Sequence, residues 1–178
     1  MKLKSTAVLI IILLFLSKAG AQNISVGGFI GGGSVDGFSA STGAFTSSLF
    51  AEIPTPLLGF NTRLSFIYAQ DFNILLPGST NRYYPFMKAV SLKAMFTQPL
   101  QNPFFLEEGF GPIAIDDRTF SSISEWNYGT VFSLTAGIDF RKDNPAGFKS
   151  GLGVEYSITF GNTSAKYFSF HLQGQYYF

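Results

Sequence analysis

Beyond its first two dozen residues the chain rarely runs apolar for long; it alternates. The last segment is the clearest. Phe168, Phe170, Leu172, Gly174, Tyr176 and Phe178 take every second place in Lys166–Phe178, and Tyr167, Ser169, His171, Gln173, Gln175 and Tyr177 fill the gaps. Successive side chains of a strand point to opposite faces, so this spacing predicts a strand with one apolar and one polar face. Seven earlier segments read the same way. Asn23–Gly33 is glycine-rich, with Ile24, Val26, Gly28 and Ile30 on one face. Thr42–Ile53 sets Phe45, Leu49, Ala51 and Ile53 against Thr46, Ser48 and Glu52. Gly59–Gln70 sets Phe60, Leu64, Phe66 and Tyr68 against Asn61, Arg63 and Ser65. Tyr83–Thr97 sets Val90, Leu92, Ala94 and Phe96 against Ser91, Lys93 and Thr97. Lys88 falls on its apolar face near one end, where a long side chain can snorkel. Phe104–Ile115 is the least regular: Glu107 and Glu108 are adjacent, so one faces outward unless a bulge intervenes, and Pro112 marks a place for one. Trp126–Arg141 sets Trp126, Tyr128, Phe132, Leu134, Ala136, Ile138 and Phe140 against Asn127, Ser133, Thr135, Asp139 and Arg141. Phe148–Phe160 sets Leu152, Val154, Tyr156 and Ile158 against Lys149, Glu155, Ser157 and Thr159.

The connections carry turn chemistry. Pro54-Thr55-Pro56, Gln98–Pro103 and Lys142–Gly147 read as tight turns. Ser34–Ser41 is a short polar loop, Gly161–Ser164 joins the last two strands, and Asp71–Arg82, with Pro77-Gly78, and Asp116–Glu125 are longer. Strands of roughly 11–14 residues are long enough to cross a bilayer at a tilt of about 45°. Eight of them, joined by connections that alternate short and long, predict an all-β, eight-stranded antiparallel up-and-down transmembrane β-barrel. The expected setting is the outer membrane of a Gram-negative cell envelope, with both termini periplasmic. The aromatic residues give an independent sign. Tyr68, Tyr84, Trp126, Tyr128, Phe160 and Phe168 fall near the longer connections, and Phe60, Phe96, Phe104, Phe140, Phe148 and Phe178 near the tight turns. Two such belts with aliphatics between them are what the two bilayer interfaces select.

The N-terminus changes the accounting. Lys2 and Lys4, the apolar run Ala7–Leu16 and the small residues Ala19-Gly20-Ala21 read as a signal peptide spanning 1–21, leaving a single barrel domain over 22–178. The apolar run is shorter than the roughly 20 residues a spanning helix needs. With Lys2, Lys4 and Lys18 removed, the twelve basic residues become nine against eleven acidic ones. A slightly acidic chain is a poor nucleic-acid ligand, because such binding rests on Lys and Arg neutralising phosphates. Cysteine is absent, which excludes disulfides, thiolate metal sites, a Cys nucleophile and a lipoprotein anchor. Only 13% of residues are charged while 17% are aromatic, a greasiness carried by alternation rather than by long runs.

The chain resembles the small eight-stranded outer-membrane barrels, OmpX-like proteins and the membrane part of OmpA-like ones. It also resembles the outer-membrane β-barrel domain families that include PorT-like proteins. The resemblance covers the whole mature chain at the level of pattern. Such barrels end in an assembly signal of the form polar-x-Gly-x-x-hydrophobic-x-aromatic. Here His171, Tyr176 and Phe178 fit it and Gly174 stands one place late, which leaves the subfamily open. The chain ends on this strand, so no appended peptidoglycan-binding domain is expected. The resemblance implies a porin-like envelope protein. Its partners would be outer-membrane lipid and lipopolysaccharide, the barrel-assembly machinery during insertion, and a larger outer-membrane complex if it is an accessory subunit.

An eight-stranded barrel is just wide enough for its own side chains to fill it. The inward face carries Glu52, Arg63, Lys93, Glu107, Asp139, Arg141, Lys149, Glu155 and His171, with both signs represented. Counting across the turns pairs Lys93 with Glu107, Asp139 with Lys149 and Glu155 with His171, and sets Ser133 opposite Glu155. The expected result is a salt-bridged plug; a continuous ion path is the alternative. The Ser–Glu–His row is wrongly ordered for a catalytic triad, because the base must touch the serine and the carboxylate must lie behind the base. Asp116-Asp117 either joins a cation or lipopolysaccharide site or is solvated. No phosphate-cradling glycine loop occurs, and no metal or cofactor is expected. These residues lead to a non-enzymatic structural, adhesive or accessory envelope component; a lipid-modifying enzyme and a small passive pore are the competing readings.

Overall fold

A computed structural model of the protein describes residues 24–38, 40–55, 59–75, 83–119, 124–141, 144–161 and 164–178. The expected signal segment, the Pro77-Gly78 turn, Pro56, Lys142 and Asn162-Thr163 lie outside the described residues. Eight strands follow one another: β1 Ser25–Asp36, β2 Ser41–Thr55, β3 Phe60–Asp71, β4 Phe86–Pro99, β5 Phe104–Arg118, β6 Glu125–Asp139, β7 Gly147–Thr159 and β8 Lys166–Tyr177. Each pairs antiparallel with the next, and β8 returns to pair with β1, closing the barrel. Closure leaves no edge of unpaired backbone groups. The two described chain ends meet at one rim, where Phe178 N donates to Ile24 O at 3.0 Å.

The strands are 12–15 residues long, and several extend into segments whose composition suggested loops. At the rim away from the chain ends, called the loop end below, residues 37–40, 119–124 and 160–165 connect the strands. Only 72–85, opening with a 3-10 turn at Phe72–Leu75, is long. The opposite, turn end has connections 56–59, 100–103 and 140–146. The expected alternation of short and long therefore reduces to one long connection. The reason is visible in the inward alternation, which continues through Val35 and Asp117. Both are fully buried, so the backbone there stays in the ladder.

β5 contains no bulge. Glu107 points inward, fully buried, and its neighbour Glu108 points outward and is exposed near the turn end. Gln98 Nε2 lies 3.5 Å from Glu108 Oε1. Around Pro112 the register to β4 holds on both sides, with Ser91 opposite Ile113 and Ala94 opposite Phe110; the ladder lapses only between those pairs. Proline brings no N–H to a ladder, so one gap there is the expected cost.

The closing seam depends on glycine. β1 and β8 approach so closely that a Cβ on Gly33 would collide with the Phe168 carbonyl oxygen, and one on Gly31 with that of Phe170. Gly33→Ala is accordingly expected to destabilise the barrel by about 1–3 kcal/mol, the usual range for overpacking. The check is the fraction of protein that keeps its folded mobility on an unboiled gel. Undiminished folding would contradict the close approach.

Candidate functional site

The inward side chains form two layers. In the half of the barrel toward the turn end they are ionic; toward the loop end they are mostly apolar. The ionic layer centres on Arg63 of β3. Its Nη2 lies 2.6 Å from Glu52 Oε2 and 2.7 Å from Glu107 Oε1, and its Nε donates to Glu52 at 2.8 Å. Glu107 accepts as well from Lys149 Nζ at 2.7 Å. Lys93 pairs with Glu155, which also accepts from Tyr167 Oη at 2.8 Å. Arg63, Lys93 and Lys149 thus balance Glu52, Glu107 and Glu155, and none of the six is more than 2% exposed. Gln173 and Gln175 of β8 complete the cluster. Gln173 Oε1 accepts from Arg63 Nη1 at 3.3 Å and its Nε2 donates to Glu107, while Gln175 bridges Arg63 and Ser25.

These partners differ from those counted across the turns. The register does set Asp139 opposite Lys149, yet Lys149 reaches across the lumen to Glu107. Asp139 pairs instead with Arg141 at 2.6 Å, half-buried at the turn end. Lys93 stands beside Arg63 in the ladder, like against like, and turns to Glu155 rather than to Glu107. Ser133 does face Glu155. His171, however, faces Gly153, while Glu155 faces Ser169. The 160–165 connection shifts that hairpin by two residues, a step that preserves parity and keeps His171 inward. Among the described residues no carboxylate is hydrogen-bonded to His171. It stacks on Phe29, ring centroids 4.0 Å apart, with Nδ1 3.3 Å from Ser169 Oγ.

Inward aromatic residues are part of the site: the sequence reading puts Tyr177 on the polar face of the last strand, whereas it assigns Phe50 and Phe105 to neither face. The Arg63 guanidinium lies 4.1 Å from the Phe50 ring centroid, Lys149 Nζ 3.9 Å from that of Phe105, and the Arg141 guanidinium 3.7 Å from that of Tyr177. A ring face attracts a cation most where water is scarce. The one available signal was parity, since all three aromatics occupy polar-face positions of their strands. Five inward serine hydroxyls, of Ser48, Ser65, Ser91, Ser133 and Ser157, are buried without a hydrogen-bond partner, so the polar lining is not saturated.

The apolar layer is built from Val35, Ala44, Ile67, Met87, Ile115 and Val131, among others, with Tyr167 at its base. At its loop-end edge Asp117 is fully buried rather than solvated. It accepts from Phe38 N at 3.0 Å, Thr119 N at 2.9 Å and Thr119 Oγ1 at 2.8 Å, tying two connections together. Asp116, outward and also buried, pairs with Arg118 at 3.0 Å. Beside it the Tyr83 hydroxyl donates to Arg118 O at 2.6 Å, and desolvation raises the phenol pKa above its ordinary value. Among the described residues no three His, Asp or Glu side chains gather as a metal site would require.

The outward face is apolar along its length, with Leu49, Phe66, Phe132, Leu152 and Leu172 all exposed. Trp126, Tyr128, Phe160, Phe168 and Tyr68 are exposed toward the loop end, and Tyr84 lies half-buried there. Toward the turn end, Phe104 and Phe178 are exposed, Phe60 contacts Phe96 at 5.6 Å between centroids, and Phe140 contacts Phe148 at 6.3 Å. On β8, Gly174, Tyr176 and Phe178 face outward and His171 inward.

No family model and no curated protein matches this sequence. Solved structures do. The crystal structure of neisserial surface protein A aligns over 87% of this chain and 97% of its own, with a TM-score of 0.67 at 10% identity. The attachment invasion locus protein Ail of Yersinia pestis aligns over 88% of this chain and 97% of its own, with a TM-score of 0.49 at 15% identity. The N-terminal barrel domain of Pseudomonas aeruginosa OprF covers 88% and 98%, with 0.47 at 11%. The chain has the fold of the small eight-stranded outer-membrane barrels.

Removing one member of a buried ionic group leaves its partners charged and unpaired. Glu107→Gln strips Arg63 and Lys149 of the carboxylate they share, and the expected loss is about 3–5 kcal/mol. Glu108→Gln, one residue along and outward, should stay within about 0.5 kcal/mol of the parent. Urea unfolding midpoints in detergent micelles compare the two. Equal effects would deny Glu107 its place in the network.

Proposed function

We propose that the chain is a non-enzymatic integral outer-membrane protein with a side-chain-filled lumen. It works through its wall and its loop-end connections as a structural, adhesive or accessory component of the envelope. One observation carries this reading: a closed barrel that is apolar outside and ion-paired inside. In water that arrangement would expose a continuous apolar wall, far beyond the patches a soluble monomer tolerates. In a bilayer its closure leaves no open sheet edge and its wall gives the lipid an apolar surface. The long 72–85 connection supports placing the loop end outside the cell and both termini in the periplasm. Outward Tyr176 and Phe178 are then available to the barrel-assembly machinery.

Two features support a closed lumen. Three buried cations balance three buried carboxylates, and an apolar layer lies between that cluster and the loop end. An ion would have to leave its hydration shell to pass Met87, Ile115 and Val131. The histidine supports a non-enzymatic reading, because its ring lies on Phe29 and the nearby carboxylate of Glu155 is held by Lys93 and Tyr167. A triad base needs such a carboxylate behind it. The expected surroundings are outer-membrane lipid and lipopolysaccharide, together with a larger envelope complex for an accessory subunit.

Two measurements test the proposal together. The unboiled protein should migrate differently from the boiled one, as a folded barrel does. The purified protein in planar bilayers should give no steady conductance. Solubility without detergent would overturn the membrane reading, and reproducible conductance steps would overturn the closed lumen.

A further inference from the structure

Toward the turn end the outward wall carries a charge that nothing in the barrel answers. Glu108 stands on the outer face of β5, with Leu106 and Phe110 to either side on that face and Phe96 of β4 and Leu134 of β6 opposite it. A carboxylate set among apolar side chains on a lipid-facing wall is unfavourable until a cation neutralises it. The only side chain it meets is neutral and distant: Gln98 Nε2 lies 3.5 Å from its Oε1. Among the described residues no cation lies within ion-pair distance of it. The outward acid of the same strand at the loop end, Asp116, is by contrast held by Arg118.

The face that carries Glu108 leads to a cleft. Leu106 and Phe104 continue it to the turn end, where Phe104 and Leu100 are 54% and 57% exposed. Both line a cleft of about 320 Å³, together with Thr97, Asn102, Asp139 and Arg141. Phe104 lies about 13 Å along the strand from Glu108. A ligand that uses both places therefore carries a cation at one point and an apolar group at the other. A second copy of this chain brings no such cation. Lys88, Arg118 and Lys166 stand at the loop end, Arg63, Lys93 and Lys149 are inside the lumen, and Arg141 is paired with Asp139. Two copies inserted in one membrane lie parallel, so the turn end of one meets only the turn end of the other. A phosphatidylethanolamine would offer Glu108 its ammonium, but its acyl chains run toward the bilayer centre and leave the cleft empty.

We propose that the β4–β5 face at the turn end docks a basic segment of another envelope protein, with a Lys or Arg seated on Glu108 and an apolar side chain in the cleft beside Leu100 and Phe104. The inference deepens the accessory-component reading above and rests on its membrane setting. With both termini periplasmic, the partner approaches from the periplasmic side.

The test replaces Leu106 by photoreactive p-benzoylphenylalanine in cells that produce the full chain, with the same replacement of Val154 on β7 as a control elsewhere on the wall. After irradiation, mass spectrometry of the cross-linked peptide should show one segment of a different protein, with a Lys or Arg close to the cross-link, from position 106 and not from 154. Glu108→Gln should remove most of that adduct. The cross-linked segment, made as a synthetic peptide, should bind the purified barrel in phosphatidylcholine nanodiscs about fivefold more tightly than it binds Glu108→Gln, the size of one interfacial ion pair. Glu108→Lys should bind only the peptide whose cation is changed to Glu. Each variant is first checked for the folded band of the parent. A parent without a heat-modifiable band would sink the membrane reading and this site together. With that band present, lipid adducts alone, a cross-link between two copies, no adduct at all, or an adduct that survives Glu108→Gln would each overturn the docking site and leave the membrane reading standing.

Discussion

A barrel of eight strands cannot keep water around its inward charges, so each must find its partner inside the lumen. This constraint governs the arrangement around Arg63 and Glu107. Several kcal/mol of desolvation attend each buried ion. The structure offsets this with short, shared contacts: Arg63 between Glu52 and Glu107, Lys149 on Glu107, Lys93 on Glu155. Such a cluster adds little net stability over an apolar filling, but it is intolerant of misregister. A strand slipped by one residue would turn its charge to the outside and orphan two others. The network therefore acts chiefly as a registration device joining β2, β3, β4, β5, β7 and β8.

The second consequence is a division of labour along the axis. The ionic layer and its ring-faced cations fill the turn-end half, while the apolar layer around Ile115 and Val131 fills the loop-end half. Asp117 then ties the rim above it. The outer wall follows the opposite logic, apolar nearly throughout. Departures from it concentrate near the rims, at Glu108 on one side and at Lys88, Asp116 and Arg118 on the other. That placement suits a slab of lipid with polar interfaces.

The two-residue period made the strands and their faces legible in the sequence. Glu52, Arg63, Lys93, Glu107, Lys149, Glu155 and His171 are buried on the inner side of their strands, because parity survives errors in loop length; Asp139 is half-buried at the end of β6 and Arg141 lies in the turn beyond it. Partner choice was not legible. Cross-turn counting sees only adjacent strands, whereas Lys149 reaches Glu107 from two strands away, and Arg63 meets Gln173 across the lumen. The apolar layer was hidden for a related reason. Segments such as Ala89-Val90 and Ile113-Ala114-Ile115 are apolar on both faces, so alternation says nothing about their inward half. Strand ends were misplaced where polar inward residues such as Asp117 imitate loop composition.

The central claim is that each strand shows its apolar side to lipid and its polar side to a packed interior. The chain's lack of cysteine allows this to be tested on β8 by single cysteine substitutions from 167 to 178, each folded into vesicles and exposed to a lipid-soluble maleimide or a charged, water-soluble one. The account predicts a two-residue rhythm in which the lipid-soluble reagent labels positions 168, 170, 172, 174 and 176, and neither reagent labels 169, 171, 173 or 175. Labelling of those odd positions by the water-soluble reagent, with the even ones silent to the lipid-soluble one, would contradict it.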